Sequence, residues 1–502
     1  MFRQNGTHLR VEFHLDRSSP ISLDRQIAQT VREAVQKGLL QPGDRIVPIR
    51  LLAKHLGVAR ATVDSAFAIL IAEGYLETSR GRGSFISTKL PLQNNFDAVS
   101  CNIPSTTLVK PKSIGRHAAF CAQALDDLAV QASVPLAIAS TSREASPGRE
   151  FTDILIKNVQ QNTLKLTYSD PQGCKELREA ICGVSQRLRG VKARPEQVII
   201  TSGSQLGLLM SLKSLFSPGD KVWIEDPQYP LLRAATRTQD VVPVFVPVDK
   251  EGFNLQKALE IDPTAKGVFL TPSHQCPLGM MTSIQRRRDI LQWASETGGW
   301  IVEDDYDSEL RYGGNLAYPS LQGMDSGNNV IYIGTFSKSL FPGLRLGYMV
   351  VPDDLVKAFS GMRFLIDRQS NEILQLSVAE FIKTGLYETH LLKMRRIFEA
   401  RRDYLIEAVS DNFGDWGKFI ATGQGMHMTF VFNNPDIDDE AVADLCRRQG
   451  VELRSISSFS MGRPLYKGLI MGFGHFPPAQ LLAAVSRIGF VLRDKFAAFG
   501  PA

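Results

Sequence analysis

The chain has 502 residues, more than one ordinary domain needs, so two or three domains are expected. Its 43% hydrophobic and 22% charged residues are typical of a soluble globular protein. No apolar run is long enough to span a bilayer, and residues 1–13 lack the apolar core of a signal peptide. The six cysteines are scattered without a CxxC pair, which argues against a disulfide framework or zinc site and favours a reducing, cytoplasmic location.

Positive charge is concentrated at one end of the chain. Residues 1–90 carry 13 Lys and Arg against 8 Asp and Glu, whereas residues 91–502 carry 44 of each, so the whole net charge of +5 lies in the first 90 residues. Localised positive charge favours a polyanionic partner such as nucleic acid. A solvated basic face would give the same count, so charge alone leaves both interpretations open.

Helices and a hairpin are predicted in this basic segment. Apolar residues at four-residue steps, typical of one helix face, are Leu23, Ile27, Val31 and Val35. A short helix is expected over residues 49–56, Gly57 makes a turn, and a further helix starts near Arg60. The side chains of that helix expected to point inward are Val63, Ala66, Phe67 and Leu70. Two strands, 75–78 and 83–87, then form a hairpin.

This order of elements is that of a winged helix-turn-helix, in which the second helix of the motif enters the major groove of DNA. Outward side chains near the start of that helix, placed to meet base edges or phosphates, are Arg60, Ala61, Thr62 and Ser65. Arg82 in the hairpin would reach into a minor groove. A small helical bundle with exposed arginines is the alternative interpretation.

Several stretches resemble the GntR family of bacterial transcription regulators, namely GLLQPGD (38–44), VPIRLLA (47–53), LGVARATV (56–63) and LIAEGYL (70–76). The resemblance covers residues 15–88 and implies a winged helix-turn-helix that binds double-stranded DNA. The DNA contacts that it implies are Arg50, Arg60, Thr62, Gly81 and Arg82. Ile49 and Ala59 stand where the family usually has a small polar residue, which would remove hydrogen bonds to phosphate or to the helix N-terminus.

A linker and a large domain are expected beyond this segment. Residues 89–114 have poor periodicity and many Pro, Ser and Thr, which predicts a linker. Short runs rich in β-branched residues then alternate with helical patterns, and the runs are 198–200, 221–224, 267–270, 300–302 and 330–333. Continuous apolar strands are typical of a sheet covered on both faces, so an α/β domain is expected over 115–502, with its ligand at the carboxyl ends of the strands.

Polar clusters follow these strands, and each one alone has an ordinary structural explanation. Small residues at 201–205 suit a phosphate at a helix N-terminus, or a plain helix cap. Tyr229 suits stacking on a flat ring, or simple packing. The carboxylates of 303–307 suit solvation, pairing or a divalent metal. Lys338 is either a surface lysine or a desolvated nucleophile.

Together the clusters match the groups of pyridoxal 5'-phosphate (PLP): a lysine for its aldehyde, a carboxylate for its pyridine nitrogen, an aromatic ring for stacking and a cradle for its phosphate. Their order and spacing resemble fold-type I aminotransferases over residues 115–495. The stretches TPSHQ (271–275), EDDYDSE (303–309) and GTFSK (334–338) resemble the MocR subfamily, which joins a GntR-type winged helix to such a domain. The resemblance therefore implies a multidomain protein, an α+β winged helix-turn-helix followed by an α/β aminotransferase-like domain with a small α+β C-terminal subdomain.

The resemblance also implies roles for individual residues. Lys338 would form the Schiff base with PLP, and Asp304, or alternatively Asp305, would pair with the pyridine nitrogen. Tyr306 would hydrogen-bond the phenolic oxygen, and Tyr229 would stack on the ring. The residues expected to hold the phosphate are Gly203, Ser204, Thr335, Ser337 and Arg345, with Tyr168 reaching the site of the other subunit in a homodimer.

Two positions depart from the resemblance. Cys276 replaces the aromatic residue usual in the subfamily, at a place where many aminotransferases have a cofactor-binding Asn. Leu469 stands near the position of the arginine that binds a substrate carboxylate in aminotransferases. Lys467 and Arg463 are the nearby candidates to replace that arginine.

These features predict a PLP-dependent transcription regulator of the bacterial cytoplasm, located at the nucleoid when bound to its operator. It would sense PLP, or an amine or amino-acid-like effector, at Lys338. The alternative is an active aminotransferase that carries a DNA-binding domain, which the complete catalytic set supports and the missing arginine opposes. A metal-dependent enzyme that uses the acidic cluster is a more distant third hypothesis.

Overall fold

A computed structural model describes residues 11–79, 82–90, 114–128, 134–138, 141–161, 168–313, 318–462 and 464–500. Contacts divide the chain into two compact units, Met1–Ser113 and Ile114–Ala502. Most of the expected linker, residues 91–113, lies outside the described residues. Within the described part, no helix is long and apolar enough to cross a membrane.

The described part of the N-terminal unit contains helices α1 (Leu23–Gln36), α2 (Ile49–Leu56) and α3 (Arg60–Ala72). Gly57 ends α2 in the left-handed conformation, with φ at 62°, which allows the tight turn before α3. The side chains of α3 that the sequence places inward are all buried, and they pack against α1. Arg32 on α1 makes two hydrogen bonds of 2.7 Å to the carboxylate of Glu73, which caps the end of α3. The predicted helices are confirmed.

Two antiparallel strands, β1 (Leu76–Ser79) and β2 (Gly83–Ile86), form the predicted hairpin. Backbone atoms of residues 44–46 hydrogen-bond to Ser84 and Ile86, so β2 is held from both sides. Ile86 and Leu76 also lie in the core of this unit. Helices joined to a β-hairpin in this order make the unit a winged helix-turn-helix.

The C-terminal unit is built on a large mixed sheet. Its strands are β3 (Val198–Thr201), β4 (Lys221–Asp226), β5 (Val242–Asp249), β6 (Gly252–Phe253), β7 (Gly267–Leu270), β8 (Trp300–Asp305), β9 (Val330–Thr335) and β10 (Gly347–Val350). They form an 8-stranded sheet in the order β3-β10-β9-β8-β7-β4-β5-β6. The run from β9 to β5 is parallel, whereas β10 is antiparallel to both β3 and β9.

Helices cover both faces of this sheet. They are α4 (Arg116–Leu128), α5 (Gly148–Gln160), α6 (Lys175–Arg189), α7 (Ser204–Leu215), α8 (Pro230–Thr238), α9 (Leu255–Ile261), α10 (Ile284–Thr297), α11 (Leu321–Met324), α12 (Val356–Asp367), α13 (Glu372–Lys383) and α14 (Leu386–Phe413). Alternate residues of each strand face different layers: Ile200 packs with α5, α6 and α13, whereas Ile199 packs with α7, α8 and α12. The predicted α/β layering is confirmed.

A smaller subdomain completes the unit. Its elements are β11 (Gly417–Ile420), β12 (His427–Phe432), α15 (Asp439–Arg448), β13 (Arg454–Ser455), β14 (Gly468–Gly472) and α16 (Pro478–Lys495). The strands form an antiparallel sheet in the order β11-β12-β14-β13, and its core is shared with α14 and α16. This is the small α+β subdomain expected at the C-terminus.

Candidate cofactor site

A cavity of about 690 Å³ lies at the carboxyl ends of the parallel strands of the large sheet. Five strand ends supply a lining residue: Ser204 follows β3, Tyr229 follows β4, Thr271 follows β7, Asp304 lies near the end of β8, and Lys338 follows β9. The predicted clusters are distant in sequence, and the parallel order of the strands brings them to one edge of the sheet.

Lys338 lines this cavity three residues beyond the end of β9. Burial lowers the pKa of its amine, and attraction to the carboxylates of Asp307 and Asp304 offsets only part of that effect. A lowered pKa increases the neutral fraction of the amine, which is the form that attacks a carbonyl carbon. The environment of Lys338 therefore suits a nucleophile.

The neighbouring aspartates of β8 point to opposite faces of the strand. Asp304 lines the cavity, and its Oδ1 is buried without a hydrogen-bond partner in the described part of the chain. Burial, together with repulsion from Asp305 and Asp307, raises the pKa of Asp304 to about 7. An unsatisfied buried carboxylate oxygen costs free energy, and a cationic N–H inside the cavity would remove that cost.

Asp305 is held in the interior instead. Its Oδ2 accepts hydrogen bonds from Arg189 Nε at 2.6 Å and from the Tyr332 hydroxyl at 2.8 Å. Burial acts to raise the pKa of Asp305, but the Arg189 charge and these hydrogen bonds lower it overall. Of the two aspartates left open by the sequence, Asp304 is therefore the one that faces the cavity, and its role toward PLP stays a prediction.

Donor groups gather beside β3 and β9. The side chains of this group that line the cavity are Ser204, Thr335, Ser337 and Arg345. The hydroxyls of Thr335 and Ser337 are 3.0 Å apart, and Arg345 Nη2 donates to the carbonyl of Ser202 at 2.7 Å. Gly203 has φ 102°, and a Cβ there would lie 3.2 Å from Arg345 Nη1. Glycine thus keeps the start of α7 open beside a guanidinium, an arrangement that suits a phosphate.

Tyr229 and Tyr306 both line the cavity. Burial raises the pKa of each hydroxyl well above its usual value, so both stay protonated. The Tyr306 hydroxyl lies 3.1 Å from His274 Nδ1, which is also 2.9 Å from Asp307 Oδ1. This buried contact orients Tyr306, and neither His274 nor Asp307 was a predicted site residue. Both stand inside the motif stretches, which was the available signal.

Further lining residues come from the small subdomain, where the sequence gives no motif. They include Met426, His427, Arg454, Ser457 and Ser458. Burial lowers the pKa of His427 to about 4, so its ring is neutral near pH 7. Cys276, which departs from the family pattern, also lines the cavity, and burial raises the pKa of its thiol far above the usual value.

Other predicted residues lie away from the cavity. Tyr168 is 74% exposed, with the Arg368 guanidinium 3.9 Å from its ring centre. Leu469 is fully buried in the core of the small subdomain. Lys467 does not line the cavity in the described part of the chain, and Arg463 lies outside the described residues.

The predicted DNA contacts lie on the N-terminal unit. Arg50, Arg60 and Arg82 are exposed, and Thr62 is half-buried in the first turn of α3. Gly81 lies outside the described residues. Ala59 caps α3 without a side-chain hydrogen bond, and of the first turn Thr62 N donates to the carbonyl of Ala59 at 3.0 Å, so the N–H groups of Arg60 and Ala61 suit solvent or an anion.

Two family models match the chain. Residues 23–86 match the bacterial regulatory proteins of the gntR family, and residues 142–470 match aminotransferase class I and II. These matches define a DNA-binding transcription regulator with an aminotransferase-like domain. The multiple substrate aminotransferase from Thermococcus profundus has the same fold as the second unit, with a TM-score of 0.69 and 23% identity over 77% of this chain and 98% of that chain.

Relatives that align with nearly the whole chain identify the family of regulators more closely. The chain is 31% identical over 479 residues to the probable rhizopine catabolism regulatory protein MocR of Rhizobium meliloti, covering 94% of each chain. It is 29% identical to the pyridoxine biosynthesis transcriptional regulator PdxR of Corynebacterium glutamicum, over 92% of this chain and 94% of the relative. The chain belongs to the MocR-type GntR regulators. Regulators of this architecture favour the predicted regulator over the alternative of an aminotransferase with an added domain.

PLP is the cofactor that the aminotransferase class I and II family implies, and the cavity fits it. The unpartnered Oδ1 of Asp304 suits a protonated ring nitrogen, and the opening beside Gly203 suits a phosphate. Among the described residues, no His, Cys, Asp and Glu side chains form a group of three or more placed to hold a metal ion. Of the carboxylates of β8, Asp304 faces the cavity, Asp305 pairs with Arg189, and Glu303 accepts hydrogen bonds from the backbone N–H groups of Leu321 and Gln322.

Proposed function

We propose that this regulator holds PLP at Lys338 and uses the same cavity to sense a primary amine or amino-acid-like effector. The observation that carries the proposal is one cavity lined by Lys338, by the unpartnered Asp304 and by the donors of a phosphate cradle. When bound, PLP supplies an aldehyde that exchanges between primary amines. In a cavity that holds PLP through a lysine, an incoming primary amine would compete with that lysine for the aldehyde.

Each residue of the cavity would have its own role in holding PLP. Asp304 would pair with the pyridine nitrogen, and its raised pKa allows a proton to be shared with that nitrogen. Tyr229 would stack on the ring, and Tyr306, oriented by His274, would hydrogen-bond the phenolic oxygen. Lys338 would supply its neutral amine. The phosphate would be held by Gly203, Ser204, Thr335, Ser337 and Arg345.

The partner of the N-terminal unit would be a double-stranded operator in the bacterial nucleoid. Arg60 and Thr62 on α3 would meet the major groove, Arg50 a phosphate, and Arg82 the adjacent minor groove. A homodimer would present two winged helices to two half-sites and would bring Tyr168 of one subunit to the cavity of the other. An effector can change the affinity for DNA only by binding two states of that dimer differently.

The visible absorption spectrum tests the cofactor assignment. We expect the protein with added PLP to show an absorption band that borohydride removes, and Lys338→Ala to lack it. Lys357→Ala, which removes an exposed lysine of α12, should keep the band. Absence of the band from the wild-type protein in excess PLP would refute the cofactor assignment, and its retention in Lys338→Ala would refute the lysine.

DNA binding tests the regulatory function. Fragments that the full chain selects from a random DNA pool would be footprinted in three states: without PLP, with PLP, and with PLP and primary amines. We expect affinity or footprint to change between at least two of these states, and we expect Lys338→Ala to abolish the change. An identical footprint and affinity in all three states would contradict the coupling.

A further inference from the structure

One wall of the cavity takes no part in holding PLP as proposed above. The small subdomain supplies this wall, and its polar members are His427, Glu440, Arg454, Ser457, Ser458 and Ser460. Arg454 is the arginine of this wall, with 16% of its side chain exposed. Its Nε lies 3.3 Å from Oε1 of Glu452, a buried carboxylate with which it forms an ion pair.

Strand register shows which face of the small sheet looks into the cavity. Arg454 pairs with Ile470 on β14, and Ile470 pairs with Thr429 on β12. Directly paired residues share a face, and so do residues two apart, so His427 lies on that face as well. Both Arg454 and His427 line the cavity. Two strand spacings, roughly 10 Å, separate Arg454 from the β12 positions on that face.

The same register explains why Leu469 is the wrong place to look for a carboxylate-binding arginine. Leu469 pairs with Ser455 and Phe430, one residue out of phase with Arg454. Its side chain is fully buried with Phe430 in the core shared with α14 and α16. A side chain at position 469 therefore points away from the cavity, and a cation is supplied from β13 instead.

His427 connects this wall to the proposed amine-binding end. Its ring centroid is 5.2 Å from that of His274, and its pKa responds to the charge of Lys338. Arg454, Lys338 and His427, whose ring is neutral near pH 7, thus line one cavity. An amine placed at Lys338 and an anion placed at Arg454 are the two ends of an amino acid.

We infer that Arg454 binds the carboxylate of the effector, so that the effector class is amino acids rather than simple amines. The inference rests on the proposed function, since the amine must meet PLP at Lys338. A guanidinium matches a carboxylate through paired N–H donors, and a pair at the largely buried Arg454 is screened less than one on the surface. The hydroxyls of Ser457 and Ser458 line the same wall and add further donors.

Arg233 is the competing cation of this cavity. It lies on α8, and its Nη1 contacts Met461 Sδ. Burial lowers the pKa of its guanidinium, and the nearby Asp226 carboxylate opposes that shift. Asp226 Oδ1 also accepts from Met461 N at 3.1 Å, so Arg233 belongs to a cluster that ties α8 to the small subdomain. Arg233 is therefore the second candidate for an effector carboxylate, and the variant Arg233→Gln tests it below.

The test compares matched amines on the PLP-loaded full chain. Alanine and β-alanine are titrated beside ethylamine, which lacks the carboxylate, and binding is followed by the change in the visible band. We expect the wild type to bind at least one of the amino acids roughly 10- to 100-fold more tightly than ethylamine, the range expected for a charge-assisted hydrogen bond. Arg454→Gln should lose this preference while its affinity for ethylamine stays unchanged, and Arg454→Lys should keep part of it.

Controls separate the two proposals. Arg448→Gln removes an exposed arginine of α15 and should leave the preference intact. A wild type that forms no PLP band refutes the proposed function, and the inference falls with it. A normal band with equal binding of all three amines, or a preference that survives in Arg454→Gln, overturns the inference alone. Loss of the preference in Arg233→Gln but not in Arg454→Gln would assign the carboxylate to Arg233 instead.

Discussion

Asp304 and Asp305 are neighbours on β8 but have different surroundings. Asp304 has an unpartnered oxygen in the cavity, whereas Asp305 is in a buried ion pair with Arg189. Sequence placed both residues at a strand end but left open which of them points inward. Which of the two faces the cavity depends on the alternation of side chains along β8 and on the position of Arg189, which lies on the distant helix α6.

These surroundings predict opposite results for two matched variants. Asp304→Asn should weaken PLP binding by roughly 10- to 100-fold, because it removes a charged partner of the ring nitrogen, with little loss of folding stability. Asp305→Asn should cost about 3–5 kcal/mol of stability, since Arg189 is left as an uncompensated buried charge. PLP titration and denaturant unfolding, followed by tryptophan fluorescence, measure both. Equal behaviour of the two variants would contradict the assignment of faces.

Glu225 at the end of β4 predicts a pH dependence. Burial raises its pKa to about 7 from 4.5, although Thr271 donates to its Oε2 from both N and Oγ1. The folded state then binds the proton more tightly than the unfolded state, so this group lowers stability as pH rises from 4.5 to 7. Glu225→Gln should remove that loss and gain up to about 3 kcal/mol over the wild type above pH 7.

The measurement is denaturant unfolding of the PLP-free protein between pH 4 and 8. The difference between variant and wild type should grow in favour of Glu225→Gln through this range and then level off. A difference that stays constant with pH would show that Glu225 does not titrate as its burial requires.

At the scale of elements, α3 forms although its N-terminus lacks a capping side chain. Ala59 has φ −62° and ψ 146°, the extended geometry in which a serine would accept a hydrogen bond from the first turn. Ala59→Ser should therefore stabilise α3 by about 1 kcal/mol. Hydrogen exchange of the α3 amides in the full chain should slow about fivefold.

Ala61→Ser is the matched control, because it places the same hydroxyl two residues later, inside the helix, on an exposed residue. Serine is a slightly poorer helix former than alanine, so exchange should be unchanged or faster there. Equal slowing in both variants would mean that the effect is not one of capping.

Elements with a strong periodic or apolar pattern were predictable, and elements defined by long-range pairing were not. The helices of the winged unit and the buried parallel strands follow from their own residues. Strand β5 contains Pro243 and Pro247, which argue against a strand until pairing with β4 is known. Strand β10 consists of four residues inserted antiparallel between β3 and β9, a position that no local pattern indicates.

The residues of the candidate site also fall into those that sequence could predict and those that it could not. Lys338, Asp304 and the phosphate donors stand in motifs that follow strands, so sequence could name them. Arg454 and His427 reach the cavity through the register of the small sheet, which only the folded chain reveals. The resemblance names residues for the groups of PLP but assigns no role to Arg454 or His427.

At the scale of the whole molecule, we propose that Tyr168 reaches the cavity of the other subunit in a homodimer. Tyr168 is 74% exposed and is stacked on Arg368, and the nearby end of α12 exposes Leu365 to 78%. Phe364 also packs on Arg368 and is itself partly exposed. Apolar and aromatic side chains left uncovered together are typical of a surface that a partner covers.

Mixed dimers test this sharing. Subunits with Tyr168→Ala and subunits with Lys338→Ala should each bind PLP poorly when alone, the first through loss of a phosphate contact and the second through loss of the lysine. A mixed dimer contains one cavity in which Lys338 of the first subunit meets Tyr168 of the second, if Tyr168 acts across the interface. Refolding or coexpression of the two variants should then restore the borohydride-sensitive band to about half the wild-type amplitude in each mixed dimer, by the symmetry of two equivalent sites. If Tyr168 serves its own subunit, the mixture should show no more of the band than the two variants measured separately, because no subunit then holds both residues.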